Sequence, residues 1–119
     1  GERKRIGILG LSYKENTNSL KNAPSLDLIP MLEKQDLIVY DPVVNVKDKF
    51  AWCHQASCIS NVITNAEILI ILTPWNEFKE LDLSLIKKQM SGNIIIDPYK
   101  IFDEIEIKKN NLIQFSLGK

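Results

Sequence analysis

Apolar strands alternating with amphipathic helices predict a three-layer α/β domain, a mostly parallel sheet covered by helices on both faces. Three observations carry that reading. The strand segments "RIGIL", "EILIILT" and "NIIIDP" are near-continuous apolar runs, as expected of strands buried on both sides rather than on one. Between them lie segments whose apolar residues recur at helical spacing. The length of 119 residues, with 45% hydrophobic and 25% charged side chains, suits one domain with a modest core.

The first strand spans Arg5 to Leu9, and the polar "ENTNS" that follows is loop. From Ala23 the residues Leu26, Leu28, Ile29 and Leu32 fall on one helical stripe. Pro24 suits a first turn, Asn22 is its expected cap, and Pro30 is expected to kink it. "LIVYD", Leu37 to Asp41, is the second strand and Pro42 ends it. The stretch to Ser60 is less regular: "VKDKFAWCHQA" is read as holding a short helix and "SCISN" as a brief third strand. A helical turn over Val62 to Ala66 leads into "EILIILT", the clearest central strand. "PWNEFKEL" starts a helix, with Pro74 near its beginning. "DLSLIKKQM" forms another, with Leu83, Ile86 and Met90 on one stripe, Asp82 as its cap and Gly92 as its stop. "NIIIDP" is a buried strand, a short polar helix follows, and "NLIQFS" is the last strand.

Fifteen basic and fifteen acidic side chains cancel, which gives no support to a nucleic-acid-binding surface. The longest apolar run, Ile68 to Thr73, is too short to span a bilayer, and no signal peptide is recognisable. Two cysteines without secretory features fit a reducing, cytoplasmic setting. The chain opens on Gly1 rather than Met, which suggests a single domain, residues 1–119, excised from a longer protein.

In parallel α/β sheets ligands bind beyond the carboxyl ends of the strands, where the strand order reverses. That singles out Gly10 to Lys14, Asp41, Thr73 to Trp75, and Asp97 to Lys100. Gly7 and Gly10 do not make a G-x-G-x-x-G fingerprint, because a long polar turn separates them from the next helix. Asp41 stands where a ribose-binding acid would, without the phosphate-binding turn that accompanies one. Lys14 is a flexible cation suited to phosphate, and Tyr13 beside it is suited to cover a base or sugar; a solvated lysine and a packed aromatic ring are the plainer alternative. Lys21 is a second loop cation. Lys100 is delivered to the same end of the sheet by "IIIDPY", and Asp97 is read as a turn-former or a partner for a neighbouring cation. Trp75 is expected to pack as an anchor. Cys53, His54 and Cys58 lack the second ligand cluster of structural zinc and are read as ordinary thiols and an ordinary histidine, so no metal site is expected. Nor is a catalytic residue: there is no paired carboxylate signature and no established nucleophile–base pair.

The stretch "ILGLSYKENTNSLKNAPSLDLI" resembles the start of the carboxyl-terminal, nucleotide-binding domain of the UDP-glucose/GDP-mannose dehydrogenase family. There the family shows a glycine, an aromatic–lysine pair, a threonine, two acids, an arginine, and serine–proline before the helix. Tyr13–Lys14 and Thr17 match the pair and the threonine. The likeness continues through "VYDP", "AEILIILTPWNEFKELD" and "IIIDPYK", so it covers nearly the whole chain. Asn18 and Ser19 stand in place of the acids, Lys21 of the arginine, Asn22–Ala23 of glutamate–serine, and Lys100 of another arginine. Lysine keeps the charge and loses the planar fork.

The resemblance implies a Rossmann-like fold and a full-length enzyme that oxidises a nucleotide sugar's C6 alcohol to a carboxylate with NAD, as in polysaccharide biosynthesis. NAD is then bound by an amino-terminal domain, beside a central helical domain, and the catalytic cysteine lies outside this chain. The enzyme is expected to be a homo-oligomer. Tyr13, Lys14 and Lys100 become the expected substrate contacts for a UDP-linked sugar, with Thr17, Lys21 and Asp97 in support. A free-standing nucleotide-binding or domain-docking protein without catalysis is the alternative.

Overall fold

The computed structural model describes residues 3–116. The outermost residues of the expected 1–119 domain lie outside that range. Strands β1 (Arg5–Leu9), β2 (Asp36–Tyr40), β3 (His54–Gln55), β4 (Ile68–Ile71), β5 (Ile94–Ile96) and β6 (Ile113–Phe115) form one sheet in the order β3-β2-β1-β4-β5-β6. Every pairing is parallel. Helices α1 (Pro24–Met31), α2 (Ile59–Ile63), α3 (Asn76–Lys79), α4 (Leu83–Gln89) and α5 (Glu104–Lys109) occupy the connections. None of the described helices is long and apolar enough to cross a membrane.

The alternation of side chains along each strand divides the core in two. On one face Leu9, Leu69, Ile71 and Ile95 meet Val62 and Ile63 of α2, Phe78 of α3, Ile86 of α4 and Ile107 of α5. Gly7 belongs to this face: a Cβ there would lie 2.6 Å from Val62 Cγ1 and 2.7 Å from its carbonyl oxygen, so glycine lets α2 sit directly on the central strand. On the other face Ile6, Ile8, Leu37, Val39 and Ile70 pack under Ile29 of α1, with Val46 and Cys53 from the segment before β3. Burial raises the Cys53 thiol pKa, as suits a core thiol. The described helices thus lie on both faces, but unequally: four on the first and one on the second.

The structure moves three local expectations. The third strand is His54–Gln55, and Ser57 to Asn61 instead runs into α2. The strand is only two residues long and pairs on one side, with Ile38 and Val39, so it carries no apolar run to recognise. Residues 46–56 hold turns rather than a helix, with Phe50 N donating to Val46 O. The cap of α1 is Ala23, in extended backbone, while Asn22 takes the left-handed φ of 62° that asparagine tolerates in a turn. Asp82 does cap α4, accepting from Ser84 N at 2.8 Å.

Candidate functional site

The carboxyl ends of β1 and β4 lie side by side at the point where the chain reverses its direction of travel across the sheet. Gly10 closes that point. Its φ is +97°, and a Cβ would fall 2.5 Å from Thr73 N. Its own N–H donates to Tyr40 O at 2.8 Å. The Thr73 hydroxyl returns the contact by donating to Ser12 O at 2.9 Å, and the Ser25 hydroxyl of α1 donates to Leu11 O at 2.6 Å. The segments after β1 and β4, the end of β2 and the start of α1 are therefore bound to one another before any ligand is considered.

Asp41 is the hub of that arrangement. It is 6% exposed. One carboxylate oxygen accepts from Leu11 N (2.7 Å), Ser12 N (3.0 Å) and the Trp75 indole N–H (3.3 Å). The other accepts from Val43 N (2.9 Å) and Val44 N (3.1 Å). A carboxylate offers about four lone-pair sites, so five donors saturate it. Nothing is left for the hydroxyls of a ribose, and with no G-x-G-x-x-G turn at β1 these residues do not fit NAD. Trp75 packs into the core as expected, and its indole N–H also helps hold Asp41.

Beyond Ser12 the chain leaves the core. Tyr13 and Lys14 are exposed, and Tyr13 N donates to Ser19 O at 2.7 Å, closing the neck of a loop. Inside the loop Ser19 N donates to the Thr17 hydroxyl, and Lys21 N to the Ser19 hydroxyl, both at 3.2 Å. Asn16 takes a left-handed φ of 61°. Three backbone N–H groups thus tie this polar loop to itself, while the Tyr13 and Lys14 side chains are exposed.

A cleft of about 310 Å³ opens beside it, lined by Tyr13, Lys14, Glu15 and Asn22 from the loop, Pro74 after β4 and Tyr99 after β5. The Tyr99 hydroxyl donates to Leu72 O at 3.1 Å, fixing the ring across the ends of β4 and β5. Partial burial, and then the Glu15 carboxylate, raise the Tyr99 pKa, so the phenol stays protonated and keeps that bond. A second hollow of about 570 Å³ is lined by Asn16, Thr17, Asn18, Val43 and Trp75.

Of the residues singled out by sequence, Tyr13 and Lys14 share the first cleft and Thr17 lines the second. Lys21 is exposed on the loop. Lys100 is exposed, with φ +52°, one residue beyond Tyr99 and outside the lining of the first cleft. Among the described residues neither Lys14 nor Lys100 is in a salt bridge. Asp97 is fully buried and accepts from Ile101 N (3.1 Å), Phe102 N (3.1 Å) and Gln114 Nε2 (2.9 Å). It forms the turn after β5 and, among the described residues, pairs with no cation. Cys53 is buried while His54 and Cys58 are exposed, and among the described residues no three such side chains gather as a metal site needs. Sequence reasoning took in Tyr99 only as part of the Asp97 to Lys100 segment, without a role of its own, and missed the hub role of Asp41. The aromatic residue two places after "IID" was the available signal for the first.

A six-stranded parallel sheet in this order, with a polar loop and a cleft at its reversal point, defines a Rossmann-like α/β domain. The sequence profile of the UDP-glucose/GDP-mannose dehydrogenase family, UDP binding domain, matches residues 7–104, and the chain belongs to that family. It is 32% identical over 121 residues to the UDP-glucose 6-dehydrogenase TuaD of Bacillus subtilis, a match that takes in 98% of this chain and 26% of that one. It is 28% identical to a UDP-glucose 6-dehydrogenase of Rhizobium meliloti, over 97% of this chain and 27% of the relative. The chain therefore spans about a quarter of the length of these relatives. Among solved structures, the UDP-D-ManNAc dehydrogenase of Pyrococcus horikoshii superposes with a TM-score of 0.79 at 26% identity, covering 97% of this chain and 25% of that one. An NDP-N-acetyl-D-galactosaminuronic acid dehydrogenase of Methanosarcina mazei shares the fold at a TM-score of 0.86 and 19% identity, over 99% and 25% of the two chains.

Proposed function

We propose that this domain holds the nucleotide end of a UDP-linked sugar for a longer NAD-dependent dehydrogenase, whose other domains bind NAD and oxidise the sugar C6 alcohol to a carboxylate. The observation that carries the reading is the cleft at the β1–β4 reversal point, which combines one loop cation, Lys14, with two aromatic rings, Tyr13 and Tyr99. In this reading the Lys14 ammonium donates to a diphosphate oxygen, and the Tyr13 ring covers the base or sugar. Lys100 approaches the same ligand from the β5 side, and Thr17 and Lys21 support the loop. The saturated Asp41 acts on the loop, not the ligand. A charge-assisted hydrogen bond contributes about 1.5–3 kcal/mol when desolvated and much less at an exposed position, so Lys14 needs a closed site to be effective. The chain alone carries no oxidation chemistry in this proposal.

Equilibrium binding of UDP-glucose to the full-length enzyme, with Lys14→Ala and Lys100→Ala compared after folding is checked, tests the assignment. Affinity and kcat/KM that stay unchanged in both variants would sink it. NADH production by the isolated residues 1–119 would contradict the division of labour.

A further inference from the structure

A nucleotide offers more than phosphates and a base. The ribose between them carries two neighbouring hydroxyls, donors that a carboxylate is suited to accept. Asp41 stands where such an acid is expected, and donors of its own chain saturate it. Two further acids near the carboxyl ends of the strands are engaged as well. Asp97 accepts from its own turn and from Gln114. Glu77 of α3 accepts from the Tyr40 hydroxyl at 3.2 Å.

Glu15 is different. It lines the same cleft as Lys14 and Tyr99. Among the described residues it takes part in no salt bridge. The side-chain hydrogen bonds of its loop run through Ser12, Thr17 and Ser19 without using it. Yet Glu15 is half-buried, while Tyr13, Lys14 and Asn16 around it are exposed. An unpaired carboxylate is ordinarily among the best solvated members of a polar loop, so its cover here comes from facing the cleft. The left-handed φ of 61° at Asn16 turns the chain directly after it. Its carboxylate lies near enough to the Tyr99 phenol to raise that pKa.

These groups follow the order of a nucleotide. Glu15 is next to Lys14 in the chain and within electrostatic reach of Tyr99, so the acid links cation to ring as ribose links phosphate to base. A bare carboxylate close to a diphosphate is repelled by it unless it meets donors, and the ribose diol supplies two. We infer that the Glu15 carboxylate accepts hydrogen bonds from the 2′ and 3′ hydroxyls of the ribose and makes the cleft selective for ribonucleotides over 2′-deoxyribonucleotides. The inference rests on the reading that the cleft holds a UDP-linked sugar, and adds a specificity-determining residue to it. A site built around a charged acceptor rejects an analogue lacking the hydroxyl, because the acceptor is left without its donor.

Equilibrium binding of UDP and 2′-deoxy-UDP to the full-length enzyme tests this, in the wild type, Glu15→Ala, Glu15→Gln and Lys14→Ala. The ratio of these two ligands isolates the ribose, since both carry the same base and phosphates and neither carries a hexose. The wild type should bind UDP about tenfold more tightly than 2′-deoxy-UDP, and Glu15→Ala should bring the two within about twofold. Glu15→Gln, which keeps the shape and loses the charge, should narrow the ratio as well. A wild type without the preference overturns the inference. So does a ratio that both Glu15 variants leave unchanged, whether the nucleotides bind more weakly, more tightly or as before. Lys14→Ala should weaken both ligands alike and keep the ratio. That result beside an unchanged ratio in the Glu15 variants preserves the nucleotide reading while this inference fails. A ratio set by Glu15 with no effect of Lys14→Ala removes Lys14 from the phosphate and leaves the ribose contact standing, and UDP that does not bind the wild type sinks both.

Discussion

Asp41 and Asp97 are alike in position and unlike in reach. Each follows a strand, each is buried, and each spends its carboxylate on backbone N–H groups. Asp41 gathers donors from the connections after β1, β2 and β4, and so fixes the floor from which the Tyr13–Lys14 loop rises. Asp97 holds its own turn and one side chain of the neighbouring edge strand. The lesson is that an acid at the carboxyl edge of such a sheet can build a site without touching a ligand. Lys14 and Lys100, which no carboxylate among the described residues pairs with, are left to meet one.

Substitution ranks the two. Asp41→Ala strands five donors, four of them backbone, and each buried donor left unpaired costs about 1–3 kcal/mol before water rescues some. Chemical denaturation should show a loss of about 4 kcal/mol, a large part of a typical domain's 5–15 kcal/mol. A loss as small as that of a surface substitution would remove Asp41 as the hub. Asp97→Ala strands two backbone donors, while Gln114 Nε2 keeps Phe102 O, and should cost about 3 kcal/mol while leaving the β1–β4 reversal point intact. Nucleotide affinity that falls as far in Asp97→Ala as in Asp41→Ala would erase the distinction between hub and edge.

Gly10→Ala sharpens the same contrast from the other strand. The positive φ and the 2.5 Å approach to Thr73 N leave no room for a methyl group, and a cost of about 2 kcal/mol is expected. Heteronuclear NMR should show the disturbance centred on residues 10–13 and 73–75, not on β5. Lys14→Ala should change stability by less than about 0.5 kcal/mol and weaken UDP-glucose binding to the full-length enzyme about tenfold. A stability loss comparable to that of Asp41 would make Lys14 part of the scaffold.

The smallest effect belongs to a third acid. The Asp82 carboxylate is held below the usual range by the hydroxyl and N–H of Ser84. A depressed folded-state pKa adds stability above the unfolded pKa, and that contribution is lost as pH falls through the folded value. Fully exposed, it should give only a slight acid-side loss, and Asp82→Asn should flatten it in pH-dependent unfolding.

How much of this was legible follows from what each residue touches. β1, β2, β4 and β5 announced themselves because both faces of their central residues need apolar side chains, and α4 because its stripe and cap are local. β3 was illegible at two residues. Ile59, Val62 and Ile63 blurred α2, since β-branched residues favour strands unless tertiary packing overrides them. At the site, the places where ligand-facing loops begin were readable from strand ends. The saturation of Asp41 was not, because its donors come from segments up to 34 residues away that only the finished fold brings together. The placement of Tyr99, rather than Lys100, in the cleft wall depends on a backbone turn with left-handed φ at Lys100, which no pattern marks.

The sheet order has a consequence for biosynthesis. Of the six described strands β1 is synthesised first, yet it occupies the interior of the sheet, between β2 and β4. Its β2 ladder closes across about 31 residues and its β4 ladder across about 62, separations marked by the Arg5–Asp36 and Arg5–Glu67 contacts. Doubling a loop adds only about 0.6 kcal/mol of closure entropy, so distance along the chain is a minor obstacle. Timing is the greater one. Until Ile71 has been translated and released from the exit tunnel, the nascent chain carries its central strand paired on one side only, and the whole of the second ladder waits on β4.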